Sequence, residues 1–80
     1  MKIFIVINPD SQVTPFITLE NAYKEMEKNK EYFTGQDFPS LEEIKKLYDK
    51  RKSKGKDLYY GLSTPNEVYN LYIEECTLNP

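Results

Sequence analysis

The sequence predicts an α+β fold in which an antiparallel sheet of about four strands packs against two helices, in the order β-β-α-α-β-β. Three observations support this prediction: a β-branched and aromatic run opens the chain, two amphipathic helical patterns follow, and alternating apolar residues close it. With 80 residues the chain has the length of a single small domain, residues 1–80. A domain of this size has too little interior for a wide pocket.

The first two strands are predicted to form a hairpin. The run Lys2–Ile7 is continuously apolar after its first residue, which is typical of a central strand covered on both faces. Residues 8–11, Asn-Pro-Asp-Ser, have the chemistry of a turn, because proline fixes φ and short polar side chains bond the local backbone. A return strand over residues 13–17 belongs at an edge of the sheet, since Pro15 cannot donate to a ladder.

Two helices are predicted in the middle of the chain. Thr18 can cap the first helix, in which apolar residues recur at i, i+3, i+4 and i+7. These apolar residues are Leu19, Ala22, Tyr23 and Met26. The second helix begins at a capping box of Ser40 and Glu43 and runs to about Ser53. Gly55 follows where a left-handed residue is expected to end the helix.

The last quarter of the chain, residues 64–78, has two interpretations. Thr64–Glu67 has the spacing of a capping box and would open a third helix. Apolar and polar residues alternate between Tyr69 and Thr77, and the segment is rich in aromatic and β-branched residues, which favours a strand. We prefer the strand, which would pair with residues 58–62 across a turn at residues 63–66 as a second hairpin.

The composition argues against an enzyme and against a cofactor or metal site. The chain has no histidine, so the commonest general base near neutral pH is missing. A single cysteine, Cys76, leaves too few ligands for structural zinc, and no glycine belongs to a phosphate-binding loop. In the pairs Glu42–Glu43 and Glu74–Glu75 the neighbouring side chains diverge, so we expect these carboxylates to be solvated. No catalytic residue is predicted.

The same composition indicates a cytoplasmic protein that does not enter a membrane. The longest apolar run, residues 3–7, is far shorter than the roughly 20 residues that cross a bilayer. No cleavage site of a secretory signal follows it. A lone cysteine cannot form an internal disulfide, which agrees with a reducing compartment.

Positive charge is concentrated in the segment Lys45–Lys56, which we call the basic segment. Seven of the eleven cationic residues lie there, so with Asp49 the segment carries +6 and the rest of the chain −8, for a net charge of −2. Part of this charge has a structural reason, because cations near the end of a helix complement its dipole. The same residues could bind phosphates electrostatically or dock on an acidic surface.

Tyrosine is the second feature that suggests an interaction. Seven tyrosines in 80 residues are more than so small a domain can bury, and tyrosine is enriched at interfaces. Tyrosines close to the basic segment could also stack on bases. The candidate partner-binding residues are therefore Lys46, Lys50, Arg51, Lys52, Lys54, Tyr59, Tyr60 and Tyr69.

Both ends of the chain resemble the layout of very small accessory proteins of bacteriophages and mobile elements. The resemblance is carried by the opening strand Lys2–Ile7, the entry into a helix through Thr18–Tyr23 and the acidic closing strand Ile73–Leu78, and it leaves residues 30–66 unmatched. Such proteins often bind a host complex and block it, and they include anti-CRISPR and other anti-defence inhibitors. The resemblance thus implies a viral inhibitor in the host cytosol, and it assigns no functional residue.

Two functions are therefore expected, in order of preference. The first is a non-enzymatic binding protein that inhibits or modulates a macromolecular protein partner by occlusion. The alternative is a small nucleic-acid-binding or transcription-modulating protein that uses the basic segment. A single arginine and the net negative charge favour the first, because arginine is the residue best suited to bidentate phosphate contacts.

Overall fold

The computed structural model describes residues 1–78 and contains four strands and two α-helices. In chain order they are β1 (Lys2–Ile7), β2 (Val13–Phe16), α1 (Leu19–Glu27), α2 (Leu41–Ser53), β3 (Tyr59–Ser63) and β4 (Asn70–Thr77), with a short 3-10 helix (Lys30–Phe33) after α1. The strands form one antiparallel sheet in the order β2-β1-β4-β3. The predicted α+β class and element order are confirmed; the last two residues of the predicted domain lie outside the described residues.

The helix boundaries lie where local side-chain chemistry predicts them. Thr18 Oγ1 accepts a hydrogen bond from the backbone N–H of Asn21 at the start of α1. At the start of α2, Ser40 Oγ accepts from the Glu43 N–H (3.2 Å) and Glu43 Oε1 accepts from the Ser40 N–H (3.3 Å), so the capping box is complete. Gly55 follows α2 with φ of 72°, the left-handed conformation that glycine adopts without strain.

The second hairpin is confirmed, and the helical interpretation of residues 64–78 is wrong. Strand β4 occupies Asn70–Thr77 and pairs with β3, while a loop of residues 64–69 joins the two. The Thr64 N–H donates to the carbonyl of Tyr69 (3.0 Å), and Thr64 Oγ1 accepts from the Tyr69 N–H (3.1 Å). Thr64 therefore closes a hairpin loop instead of capping a helix, and the loop is longer than the predicted turn.

The hydrophobic core lies on one side of the sheet only. Phe4 and Val6 of β1, together with Leu71 and Ile73 of β4, point toward the helices and are buried. The rest of this core consists of Leu19, Ala22, Tyr23, Met26, Phe33, Ile44 and Leu58. Each helix contributes its apolar side to this layer, so the described chain is a two-layer sandwich of helices on a sheet.

The prediction that β1 is covered on both faces is wrong. The alternate residues Ile3, Ile5 and Ile7 lie outside the buried core and remain partly exposed. Neighbouring strands shield these side chains laterally, but both helices occupy the opposite face. A continuous apolar strand in this chain therefore signals an apolar sheet face without a covering layer. Neither helix within residues 1–78 is long and apolar enough to cross a membrane.

Candidate protein-binding surface

The basic segment covers the second half of α2 and the turn after it, and Lys52 is its most constrained member. Lys52 Nζ lies 2.7 Å from Glu75 Oε1 and 3.3 Å from Asp57 Oδ1. The hydrogen bond to Glu75 is the main reason why the pKa of Lys52 is raised. The ammonium also lies 5.5 Å from the ring centre of Tyr48. Lys52 thus joins α2 to the sheet and is engaged within the chain.

Glu75 is a buried acid, which corrects the prediction that it is solvated. Its side chain is 1% exposed, and Oε1 also accepts from the N–H of buried Leu58 (3.1 Å). Glu75 follows Leu71 and Ile73 at every second position of β4, so it points to the same buried side. The alternation of buried and partly exposed residues along β4 indicates that Glu75 is buried. Its position next to Glu74 in the sequence does not indicate this.

Arg51 and Asp57 form a second internal link at the end of α2. Arg51 Nε donates to the backbone carbonyl of Asp57. The carboxylate of Asp57 lies 2.8 Å from Lys2 Nζ, and this hydrogen bond, followed by the one from Lys52, lowers the pKa of Asp57. Two of the five predicted cationic contact residues, Arg51 and Lys52, therefore stabilise the junction between α2 and the sheet.

Other lysines of the basic segment remain available for contact with a partner. Within residues 1–78, four exposed lysines of the segment form no ion pair: Lys46, Lys50, Lys54 and Lys56. Lys45 Nζ lies 3.7 Å from Glu20 Oε2. Both residues, with Phe4 and Tyr48, line an open groove of about 410 Å³ between α1 and α2. The predicted roles of Lys46, Lys50 and Lys54 in partner binding stay predictions.

The three predicted contact tyrosines do not share one surface. Tyr59 is 49% exposed on the side of β3 that faces away from the helices. Tyr60 points the other way and packs against the core, where burial and then the charge of Glu43 raise its pKa. Tyr69 lies at the end of the β3–β4 loop with its ring centre 4.9 Å from that of Tyr32. Of the three, Tyr59 alone belongs to the uncovered side of the sheet.

That uncovered side is a largely apolar sheet face, and we call it the open face. Strand register places Ile7 between Val13 and Tyr72, and Ile5 between Pro15 and Glu74. The open face consists of Ile3, Ile5, Ile7, Val13, Pro15, Tyr59, Gly61, Ser63, Asn70, Tyr72, Glu74 and Cys76. The sequence does not reveal this surface, because a continuous apolar run such as β1 predicts burial on both faces.

An aromatic pair occupies the β3 side of the open face. The ring of Tyr72 lies across Gly61, and a Cβ atom at Gly61 would be 2.8 Å from Tyr72 Cδ1. The ring centres of Tyr59 and Tyr72 are 6.2 Å apart with an interplanar angle of 31°. Glycine at this strand position is therefore explained by the close approach of an aromatic ring. The pair gives the open face a flat aromatic area beside β3.

Glu74 is the one charged member of the open face. Its cross-strand neighbours are Ile5 on β1 and Tyr59 on β3, so the carboxylate lies among apolar and aromatic side chains. Within residues 1–78 it forms no ion pair. The same residues hold no group of three or more His, Cys, Asp or Glu side chains that could bind a metal ion.

Comparison with known protein families, with curated proteins and with solved structures finds no match to this chain. The resemblance of its two ends to phage accessory proteins stays a prediction.

Proposed function

We propose that this protein is a non-enzymatic binding protein, that its partner is a protein, and that the open face is the contact surface. One observation carries the proposal: an apolar sheet face lies exposed on the side opposite the helices. The four strands have six, four, five and eight residues. At about 3.3 Å per residue and about 4.8 Å between strands, the whole sheet face, polar residues included, spans an area on the order of 400 Å². Exposed apolar patches of about 300–600 Å² on monomers are often functional.

The composition of the open face favours a protein over a nucleic acid. Isoleucine, valine and tyrosine supply apolar area, and tyrosine adds a hydrogen-bonding group at low entropic cost. None of the residues of the open face is basic, and its carboxylate, Glu74, would repel a phosphate backbone. The alternative use of the basic segment is weakened because Arg51 and Lys52 are engaged within the chain.

Binding through a sheet face inhibits or modulates a partner by covering part of its surface. The single buried layer behind the open face holds the strands in fixed register, so little conformational freedom is lost on contact. Together with the resemblance to phage accessory proteins, this supports an inhibitor of a host defence complex in the host cytosol as the concrete form of the proposal.

A capture experiment with matched variants tests the proposal. Purified protein is immobilised, a bacterial lysate is passed over it, and bound proteins are quantified by mass spectrometry. The test variant is Val13→Thr combined with Ile5→Thr, which keeps β-branching but removes apolar area from the open face. Val68→Thr is the matched control, because Val68 in the β3–β4 loop is 59% exposed and Val13 is 57% exposed. A fourth bait carries Lys50→Glu and Lys54→Glu.

We expect a protein that is retained by the wild type and by Val68→Thr, and that is lost from the open-face variant. The fourth bait should retain it, with slower association and a weaker dependence on salt if the lysines steer encounter. Loss from the fourth bait alone would refute the assignment of the open face. Nucleic acid recovered with the wild type, in amounts that fall with salt, would favour the alternative function.

A further inference from the structure

We propose that β3 is the edge at which the partner docks, by adding an extended segment as a fifth strand that carries an arginine directed at Glu74. This inference rests on the proposed function and specifies the chemistry of the partner. It follows from three features: the backbone groups that β3 turns outward, the contrast between the two edges of the sheet, and the charge of Glu74.

The hydrogen bonds of the β3–β4 hairpin define which groups of β3 are free. The N–H of Glu75 donates to the carbonyl of Leu58 (2.8 Å), and the N–H of Thr64 donates to the carbonyl of Tyr69 (3.0 Å). In an antiparallel ladder every second residue faces the paired strand, so even-numbered residues 58–64 face β4. The backbone groups of Tyr59, Gly61 and Ser63 therefore point to the outer edge.

Most of these outer groups have no partner within residues 1–78. One is engaged, because the carbonyl of Ser63 accepts from Gln36 Nε2 (2.9 Å). This leaves the N–H groups of Tyr59, Gly61 and Ser63 as donors and the carbonyls of Tyr59 and Gly61 as acceptors. An extended polypeptide laid beside β3 satisfies these groups in its own alternating pattern, which is the basis of strand addition.

The opposite edge of the sheet, β2, is protected against such pairing. The N–H of Asn8 donates to the carbonyl of Gln12 (3.0 Å), so the same alternation turns Val13 and Pro15 outward. Proline has no N–H to offer, and β2 is only four residues long. Strand β3, with the sequence Tyr-Tyr-Gly-Leu-Ser, contains neither proline nor a charged residue. Proline and charge are the usual protections of an edge strand, and β3 lacks both.

Charge complementarity identifies the side chain that the added segment presents. Glu74 lies one strand inward from β3, so strand spacing puts it about 10 Å from an added strand. An arginine opposite Tyr59 can lie over that exposed ring and bring its guanidinium to the carboxylate. Arginine stacks on aromatic faces and pairs with carboxylates through two parallel hydrogen bonds, so Tyr59 and Glu74 fit it better than lysine.

A second copy of this chain fits the β3 edge less well. Antiparallel pairing of two β3 strands would bring together only tyrosine, glycine, leucine and serine, and no cation would meet Glu74. Stacking two open faces would instead bring two Glu74 carboxylates into one apolar interface, which costs desolvation and repulsion. The partner strand therefore belongs to a different protein.

A designed peptide tests the inference without the natural partner. The probe is a capped heptapeptide of alternating threonine and valine in which the central valine is replaced by arginine. It is titrated into uniformly ¹⁵N-labelled full-length protein while amide resonances are recorded by NMR. We expect the resonances of Tyr59, Gly61 and Ser63 to shift and their hydrogen exchange to slow, and the resonance of Val13 to stay in place.

Two matched changes to the peptide distinguish strand addition from nonspecific binding. N-methylation of the peptide amides that face β3 should abolish binding, whereas N-methylation of the alternate amides should leave it unchanged. Replacing the arginine by citrulline, which has the same shape and no charge, should weaken binding about tenfold, as expected for loss of a charge-assisted hydrogen bond. The variant Glu74→Gln should bind the arginine and citrulline peptides equally.

The inference is overturned if millimolar peptide shifts none of the three β3 amides, or if both methylation series bind alike. An unchanged arginine preference in Glu74→Gln would also overturn it. Shifts of the same amides with protein concentration alone would point to a second copy instead. If the peptide fails while the open-face variant still loses its captured partner, the proposed function stands and strand addition does not.

Discussion

We predict that replacing the buried Glu75 by alanine destabilises the fold by about 2–4 kcal/mol. This substitution tests the buried contacts that join α2 to the sheet. Glu75 Oε1 accepts hydrogen bonds from Lys52 Nζ (2.7 Å) and from the Leu58 N–H (3.1 Å). Without the carboxylate, a buried N–H loses its partner, which alone costs about 1–3 kcal/mol. Loss of a fully buried ion pair costs about 3–5 kcal/mol, and the value here is lower because the Lys52 side chain is 34% exposed.

The assay is chemical and thermal denaturation followed by circular dichroism. For a domain of this size each kcal/mol moves the thermal midpoint by about 4–8 °C, so a loss of about 2–4 kcal/mol lowers the midpoint by about 8–32 °C. The thermal midpoint of Glu75→Gln should fall less, because the amide oxygen of the glutamine still accepts a hydrogen bond from the Leu58 N–H. Glu20→Ala is the matched surface control: its carboxylate is 55% exposed and 3.7 Å from Lys45, so little change is expected. Equal midpoints for Glu75→Ala and Glu20→Ala would refute the buried ion pair.

Three further predictions concern local features of the fold. Ser40→Ala should cost about 1 kcal/mol by removing the N-cap of α2, and an unchanged denaturation midpoint would contradict the capping box. Gly61→Ala should destabilise the protein because the new Cβ would lie 2.8 Å from Tyr72 Cδ1. The loss of stability should be smaller when Tyr72 is also replaced by alanine. Equal losses of stability with Tyr72 and with Ala at position 72 would argue against that contact. Burial, followed by the charges of Glu27 and Glu43, raises the pKa of Tyr23, so its contribution to stability is complete below pH 10.0 and is lost as the pH rises through the folded-state value. The pKa of Tyr23 is measured by titrating the phenolate absorbance of the wild type and of Tyr23→Phe and taking the difference. A difference curve centred on the ordinary pKa of tyrosine would contradict the prediction.

The elements that sequence predicted correctly are those determined by neighbouring residues. The capping box of Ser40 and Glu43 and the cap at Thr18 each involve residues within four positions of one another, so both can be recognised in the sequence. The alternation that indicates β4 is also local. Thr64 shows the limit, because its hydroxyl bonds Tyr69 across a loop rather than a helical N–H.

What the sequence did not reveal depends on how distant elements come together. An apolar run such as β1 predicts a strand, but whether its second face is covered depends on which side both helices pack. The pairing of Lys52 with Glu75 joins residues from α2 and β4, so neither local composition nor charge clustering indicates it. For the same reason the basic segment suggested one free cationic surface, although Arg51 and Lys52 are structural contacts.

Chemical modification of Cys76 tests most directly whether the open face is the binding surface. Cys76 is the one cysteine of the chain, is partly exposed and lies on the open face opposite Ile3. Its rate of alkylation by iodoacetamide is measured by mass spectrometry for the free protein and for a saturated complex with the captured partner. We predict that complex formation slows the alkylation several-fold, with the protein unfolded in urea giving the upper limit of the rate. An unchanged rate in a complex that stays intact on size-exclusion chromatography would contradict the assignment of the open face.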